Sequence, residues 1–166
     1  MRRLVLMRHA KTEANHVEGD KARRLNPRGV QDAQEAGVAL RGLGVDYALV
    51  SSAVRTRETF AHLGLDVPVE FQDALYYGGT ETMLQRIAEM GDDVECLLVV
   101  GHAPTVPSLV AELAYASNRA EADQAQCWFP TAAYTVFSFD GSWESLGEGD
   151  LDHVHLDAVT RPDKHH

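Results

Sequence analysis

Residues 4–15 read LVLMRHAKTEAN. Leu4–Met7 is a short apolar run of the kind that forms a buried strand. It ends abruptly on a cation and an imidazole, Arg8-His9, and then turns small and polar. The same pattern recurs twice. Tyr47–Val50 is a second strand, followed by Ser51-Ser52 and then Arg55; Glu95–Val100 (ECLLVV) runs into Gly101-His102. ECLLVV is apolar on both faces, as a central parallel strand is. A lone histidine at a strand end is ordinarily structural, and a lone arginine is ordinarily a solvated surface residue. Here the three tips carry them together. In a parallel sheet such tips share one edge, and ligands bind beyond the C-terminal strand ends. The pocket so formed would hold two imidazoles, two guanidiniums and hydroxyls, with no carboxylate among them. Its natural guest is a small dianion such as phosphate, because guanidinium offers planar paired donors to phosphate oxygens.

The rest of the chain supplies the sheet that this reading needs. Asn26 caps a helix that opens on Pro27. It carries Val30, Ala33, Gly37 and Leu40 at helical spacing, with Gly44 as its stop. Arg55–Leu63 is helical and ends at Gly64. Val67–Phe71 is a third strand, placed at an edge by Pro68. Thr80 can cap a helix to about Met90, closed by Gly91, and Pro104–Tyr115 is a further helix. Ala133–Phe139 and Leu151–Leu156 alternate as half-exposed or edge strands do. The expected fold is α/β, a three-layer α/β/α sandwich on a mostly parallel sheet. Residues 1–160 are expected to form a single domain, with residues 161–166 as a C-terminal tail ending in His165 and His166.

The length of 166 residues suits one domain with a real core, and the 45% apolar and 24% charged composition is ordinary for a globular protein. A net charge of −10 disfavours nucleic acid and anionic membranes as partners. The first apolar run is too short for a signal peptide, and no run could span a bilayer, so a cytoplasmic protein is expected. Cys96 and Cys127 form no CxxC pair and are expected to be reduced.

The motifs resemble those of a known family. RHAKTEAN is similar to the RHGxTxxN signature of the histidine phosphatase superfamily, the phosphoglycerate mutase-like group. SSAVRTRET resembles its SSPxxRAxQT, VVGHAPTV its GHxxxV, and RRLNPRG its (R)PLTxxG, all in the family's order. The short chain most resembles the SixA-type phosphohistidine phosphatases. The resemblance implies that His9 is the nucleophile, Arg8 and Arg55 the phosphate clamp, and His102 the second histidine on the transferring group. It implies a phosphate or substrate contact for Arg23 and positions near the pocket for Thr12 and Asn15. Ala10, Ala53, Arg24 and Asn26 depart from the family's glycine, proline, proline and threonine.

The weightier departure is the general acid. Many members carry a glutamate after the third strand, whereas this region reads QDALYYGGTETM. Asp73 and Glu81 are the nearest carboxylates and the candidates for that acid, although neither fits a motif; a surface Asp73 and a helix-start Glu81 are the plainer reading. An alkoxide leaving group needs a proton, a contribution of about 10²–10⁴-fold, whereas an imidazole leaves far more readily. The residues therefore lean toward phosphoramidates or activated phosphates as substrates.

Chemically, an imidazole attacks phosphorus only when neutral, and nearby arginines disfavour its protonation. Its other ring nitrogen needs a fixed partner, which the sequence does not name. A covalent phosphohistidine would divide the reaction into two easier steps, with arginines supplying charge in place of Mg²⁺ and no cofactor required. The expectation is a phosphatase acting through His9 on a phosphorylated substrate, most simply a phosphohistidine protein. A small-molecule phosphomonoesterase and a non-catalytic phosphate-binding module are the alternatives; oligomeric state is left open. Among weaker features, His153 and His155 would share a strand face as metal ligands or as an ordinary edge. Tyr76-Tyr77 would line the pocket mouth or the core. Trp128-Phe129-Pro130 would cover the sheet or shape its rim.

Overall fold

A computed structural model describes residues 1–162 of the chain. Its strands are β1 (Arg2–Arg8), β2 (Tyr47–Ser51), β3 (Val69–Gln72), β4 (Cys96–Gly101), β5 (Tyr134–Phe139) and β6 (His155–Thr160). Its helices are α1 (Pro27–Arg41), α2 (Val54–Leu63), α3 (Ala74–Tyr77), α4 (Thr80–Ala88), α5 (Thr105–Ala114) and α6 (Arg119–Cys127). The strands form one sheet in the order β3-β2-β4-β1-β5-β6. Pairings from β3 through β1 are parallel; β5 and β6 join antiparallel. The expected mostly parallel α/β architecture is therefore present, with β4 at the centre of the parallel part and β3 at one edge.

Residue alternation divides the core into two layers. On β1, Leu4 and Leu6 pack with the α4–α5–α6 side, while Val5 and Met7 pack with α1 and α2. On β4, Leu97 and Val99 face the first layer, and Cys96, Leu98 and Val100 the second. These side chains are fully buried, and each contributes about 1.5–3 kcal/mol relative to exposure. Registering β1 against β4 pairs Arg8 with Gly101, which sets the first and third tips side by side.

Two helix ends follow the sequence reading. The Asn26 side chain accepts from the Gly29 amide at 2.8 Å, and Gly64 closes α2 in the left-handed region at φ 70°. Gly29 also lets α1 approach the backbone of Lys11 so closely that a Cβ would overlap its carbonyl. That contact presses α1 onto the segment following His9.

Other elements differ from expectation. α1 closes at Gly42 rather than Gly44, which takes φ 78° just beyond it. Thr80 is the first helical residue of α4, not its cap; Gly79 holds the cap position without a side-chain bond, and the helix ends at Ala88. The last strand is His155–Thr160 rather than Leu151–Leu156. Asp152 donates to the Asp150 carboxylate and Val154 to the Leu151 carbonyl, so the chain turns there, and pairing begins where Ser138 meets His155. β5 is buried along its whole length instead of half-exposed, because β6 and the helices cover it. α6 was not anticipated, although Asn118 caps it by accepting from Glu121, an Asn-x-x-Glu start.

Both cysteines are free. No helix among the described residues is long and apolar enough to cross a membrane. Arg161 is tied down: its Nε donates to the Trp128 carbonyl at 3.1 Å, and it pairs with Glu121 at 3.0 Å. His165 and His166 lie outside the described residues.

Candidate active site

The C-terminal edge of β1, β2 and β4 gathers the expected groups. His9 follows β1, its amide donating to the Gly101 carbonyl at 2.9 Å. His102 follows β4, and the two imidazole centroids lie 5.4 Å apart. Arg55, in the first turn of α2, is buried beside them, and Arg8 points from the end of β1 with one amino group on the Phe129 carbonyl at 3.0 Å. Thus Phe129 shapes the rim through its backbone, while its side chain belongs to the core.

The orientation of His9 comes from the backbone. Its Nδ1 lies 2.7 Å from the Ala10 carbonyl oxygen. A carbonyl can only accept, so Nδ1 carries the proton and Nε2 keeps its lone pair. The preceding peptide is held by Thr59, whose hydroxyl accepts from the Ala10 amide at 3.0 Å. Burial pushes His9 down to about 3, with His102, Arg55 and Arg8 adding repulsion. Desolvation, rather than the arginines alone, keeps this imidazole neutral at pH 7.

His102 meets the Ser51 hydroxyl through Nε2 at 2.7 Å, and its Nδ1 is buried without a partner among the described residues. Burial first, and then Arg55, hold it near 4. Nε of Arg8 and Nε of Arg55 are likewise buried and unpartnered. Arg8 is held below its ordinary value by burial and by Arg55. Unpaired donors and like charges packed together in one place are unfavourable, and an anion relieves both.

The strand tips carry no carboxylate, but one reaches the site from a loop that the sequence reading did not single out. A single 3₁₀ turn, Asp20–Ala22, brings Asp20 over α2. Arg55 donates to the Asp20 backbone carbonyl at 2.8 Å and to its carboxylate at 3.1 Å. Tyr76 donates its hydroxyl to the same carboxylate oxygen at 2.6 Å, and Arg23 Nε donates to the other at 3.0 Å. The Tyr76 hydroxyl, followed by Arg55, holds Asp20 down to about 2. The sequence did contain a hint, since Asp20 and Arg23 are spaced to pair within one turn of GDKAR.

The remaining candidates separate. Arg23 is at the site, half-buried, also donating to Thr12 at 3.0 Å. Thr12 bridges to Leu25 and steadies that loop. Asn15 is exposed, and none of the polar contacts described above involves it. Asp73 lies on the rim, bound by the Ser52 hydroxyl at 2.5 Å and by Lys21 at 2.9 Å. The Ser52 hydroxyl, then Lys21, holds it below the usual carboxylate range, so it is ionised rather than a proton donor. Glu81 lies in the first turn of α4 and lines a surface hollow with Leu84, Ala88 and Gly147, not with the histidines. Tyr76 stands edge-on to His102 at 5.5 Å and Tyr77 edge-on to Tyr76 at 4.8 Å, which puts Tyr76 at the pocket mouth. His153 lies in the turn before β6, edge-on to Phe139, and His155 pairs with Asp157 at 2.9 Å, so they do not share a strand face.

Neutral histidine, two guanidiniums and a second imidazole at the ends of parallel strands are the arrangement of the histidine phosphatase superfamily, and the chain belongs to it. The family model for branch 1 of that superfamily matches residues 4–76. An uncharacterized protein of Mycobacterium tuberculosis is 39% identical over 147 residues, 86% of this chain and 93% of that one. A Nakamurella multipartitia protein named as a candidate phosphohistidine phosphatase SixA superposes with a TM-score of 0.87 at 36% identity, covering 97% of this chain and 96% of that chain. The protein histidine phosphatase SixA solved with tungstate shares the fold, at a TM-score of 0.77 and 23% identity over 96% of this chain and 97% of that one.

Proposed function

We propose that this chain is a phosphatase that transfers a phosphoryl group to Nε2 of His9 and then hydrolyses it, with phosphohistidine as substrate. The observation that carries this reading is the 2.7 Å bond between His9 Nδ1 and the Ala10 carbonyl. It presents the reactive lone pair on Nε2 of a ring kept neutral by burial. Arg8 and Arg55 neutralise the equatorial oxygens, and His102 donates to them as they gain charge. A binding module would need the guanidiniums but not an oriented, neutral nucleophile.

The leaving group follows from the carboxylates. Asp73 and Asp20 are held ionised, and Glu81 lines a hollow elsewhere. None is a ready proton donor, which disfavours alkyl phosphates and favours a ring nitrogen that leaves without one. His9 lies at the floor and the rim is half-exposed, so a side chain projecting from a protein surface can reach it.

The test is chemical trapping. Wild type mixed with labelled phosphohistidine protein and quenched in alkali should carry acid-labile phosphate. His9→Ala should carry none and should lose at least about 10³-fold in turnover. Turnover by His9→Ala equal to wild type would refute the mechanism. Faster cleavage of alkyl phosphates than of phosphohistidine by wild type would refute the substrate.

A further inference from the structure

Asp20 donates no proton in the chemistry just described, yet three side chains donate to it at the rim. Tyr76, Arg55 and Arg23 all donate to it, and His102 feels its charge. These are the charged and titratable groups that face it, from α2, α3, the end of β4 and the residue closing the 3₁₀ turn; neighbouring Lys21 is committed to Asp73. Its side chain remains 55% exposed. An in-line displacement places the leaving group opposite the attacking atom. With His9 buried on the floor, the leaving group therefore lies on the open side, where Asp20 and Tyr76 stand.

We propose that Asp20 is a specificity-determining residue that accepts the distal N–H of a leaving imidazole. The proposal rests on the function proposed above. It makes the two halves of the transfer alike. On the enzyme, the Ala10 carbonyl holds the Nδ1–H of His9; on the substrate, the Asp20 carboxylate holds the N–H of the ring nitrogen that does not bear phosphorus. In the first step the bond from Nε2 of His9 to phosphorus forms. The substrate's N–P bond breaks, and its electron pair returns to that nitrogen. The ring's other nitrogen already carries a proton, so it departs as neutral imidazole and no acid is consumed. In the second step water bonds to phosphorus and the His9 N–P bond breaks. His9 is regenerated neutral, and both water protons leave on dihydrogen phosphate. A carboxylate beside the substrate ring favours the protonated ring, which is the reactive form. It cannot assist a nitrophenolate, which has no N–H to offer. Tyr76, edge-on to His102, supplies a flat wall on the same side.

The experiment compares N-phosphoimidazole with p-nitrophenyl phosphate in wild type and Asp20→Asn. Asparagine keeps the length and an acceptor oxygen but removes the charge. The expected result is a fall in kcat/KM for the imidazole substrate about tenfold to a hundredfold beyond any fall for the nitrophenyl ester, the scale of one charged hydrogen bond. The alkaline limb of the wild-type pH profile with N-phosphoimidazole should also move to lower pH in the variant, because the bound ring loses its counter-charge. Equal losses on both substrates, with an unmoved limb, would reduce Asp20 to a clamp for Arg55 and overturn the inference. Wild type that turns over the nitrophenyl ester but not N-phosphoimidazole would overturn the proposed substrate along with it. Nitrophenyl turnover by the variant shows that it is folded. Tyr76→Phe, which leaves the carboxylate in place, should move the substrate ratio less than Asp20→Asn.

Discussion

The floor and the rim of the site are built by opposite means. The floor is Arg8, His9, Arg55 and His102, set on strand ends and the first turn of α2, largely desolvated, with Arg8, His9 and Arg55 each bonded to a backbone carbonyl and His102 to the Ser51 hydroxyl. The rim is Asp20, Lys21, Asp73 and Tyr76, carried by a 3₁₀ turn and a four-residue helix, largely exposed and held by side chains bonding one another. In the floor, burial decides the protonation states; in the rim, hydrogen bonds between neighbours decide them. On the function proposed above, the difference separates two tasks: a dry base that does the chemistry on the phosphoryl group, and a wet mouth that sorts what the group is attached to.

Substitutions and pH can break this contrast. After His9→Ala, the largest effect is expected from Arg55→Ala, which touches both regions. It removes a donor to phosphate and releases Asp20, so kcat/KM should fall by about 10²–10³-fold on every phosphorylated substrate. Steady-state kinetics on two chemically different substrates would check it. A loss confined to one of them would mean that Arg55 belongs to the rim alone.

A second prediction concerns pH and stability. His9 and His102 are held below 6.5, at about 3 and about 4, so the unfolded chain binds protons between about 6.5 and 4 that the folded chain does not. Stability from these groups is complete above 6.5 and is lost as pH falls toward their folded values. From pH 7 to pH 5 the loss should reach roughly 2–4 kcal/mol. Urea midpoints at the two pH values measure it; identical midpoints would show that the floor is not dry. The smallest effect sharpens the boundary of the site. Glu81→Gln, in its separate hollow, should leave kcat/KM within about twofold, since surface changes remote from the chemistry act weakly. A loss of about 10²-fold, the scale of a general acid, would place a proton donor on α4 after all.

The same contrast governs what the sequence revealed. Arg8, His9 and His102 were legible because an apolar run stops on or next to each of them, and Arg55 because it opens the helix just after the second such run. Parallel pairing then brings the tips together without further information. Asp20 was not legible, because its partners Arg55 and Tyr76 lie 35 and 56 residues away and its loop has no periodicity. The last strand was misplaced for a related reason. Val154 and Leu156 are both buried and imitate alternation, but Val154 belongs to a turn that only the pairing with β5 distinguishes. For the depressed His9, the arginines named from the sequence do contribute, but burial contributes most. Arginines are visible in a sequence, whereas the depth at which a ring sits depends on every element stacked above it.

The bond from His9 to the Ala10 carbonyl has an evolutionary consequence. Many nucleophilic histidines owe their orientation to a carboxylate elsewhere, and one codon change can remove it. A main-chain oxygen survives every point substitution at its own position. The tautomer of His9 is thus inherited with the shape of the loop, and Thr59, which accepts from the amide of the same residue, is where drift could still loosen it.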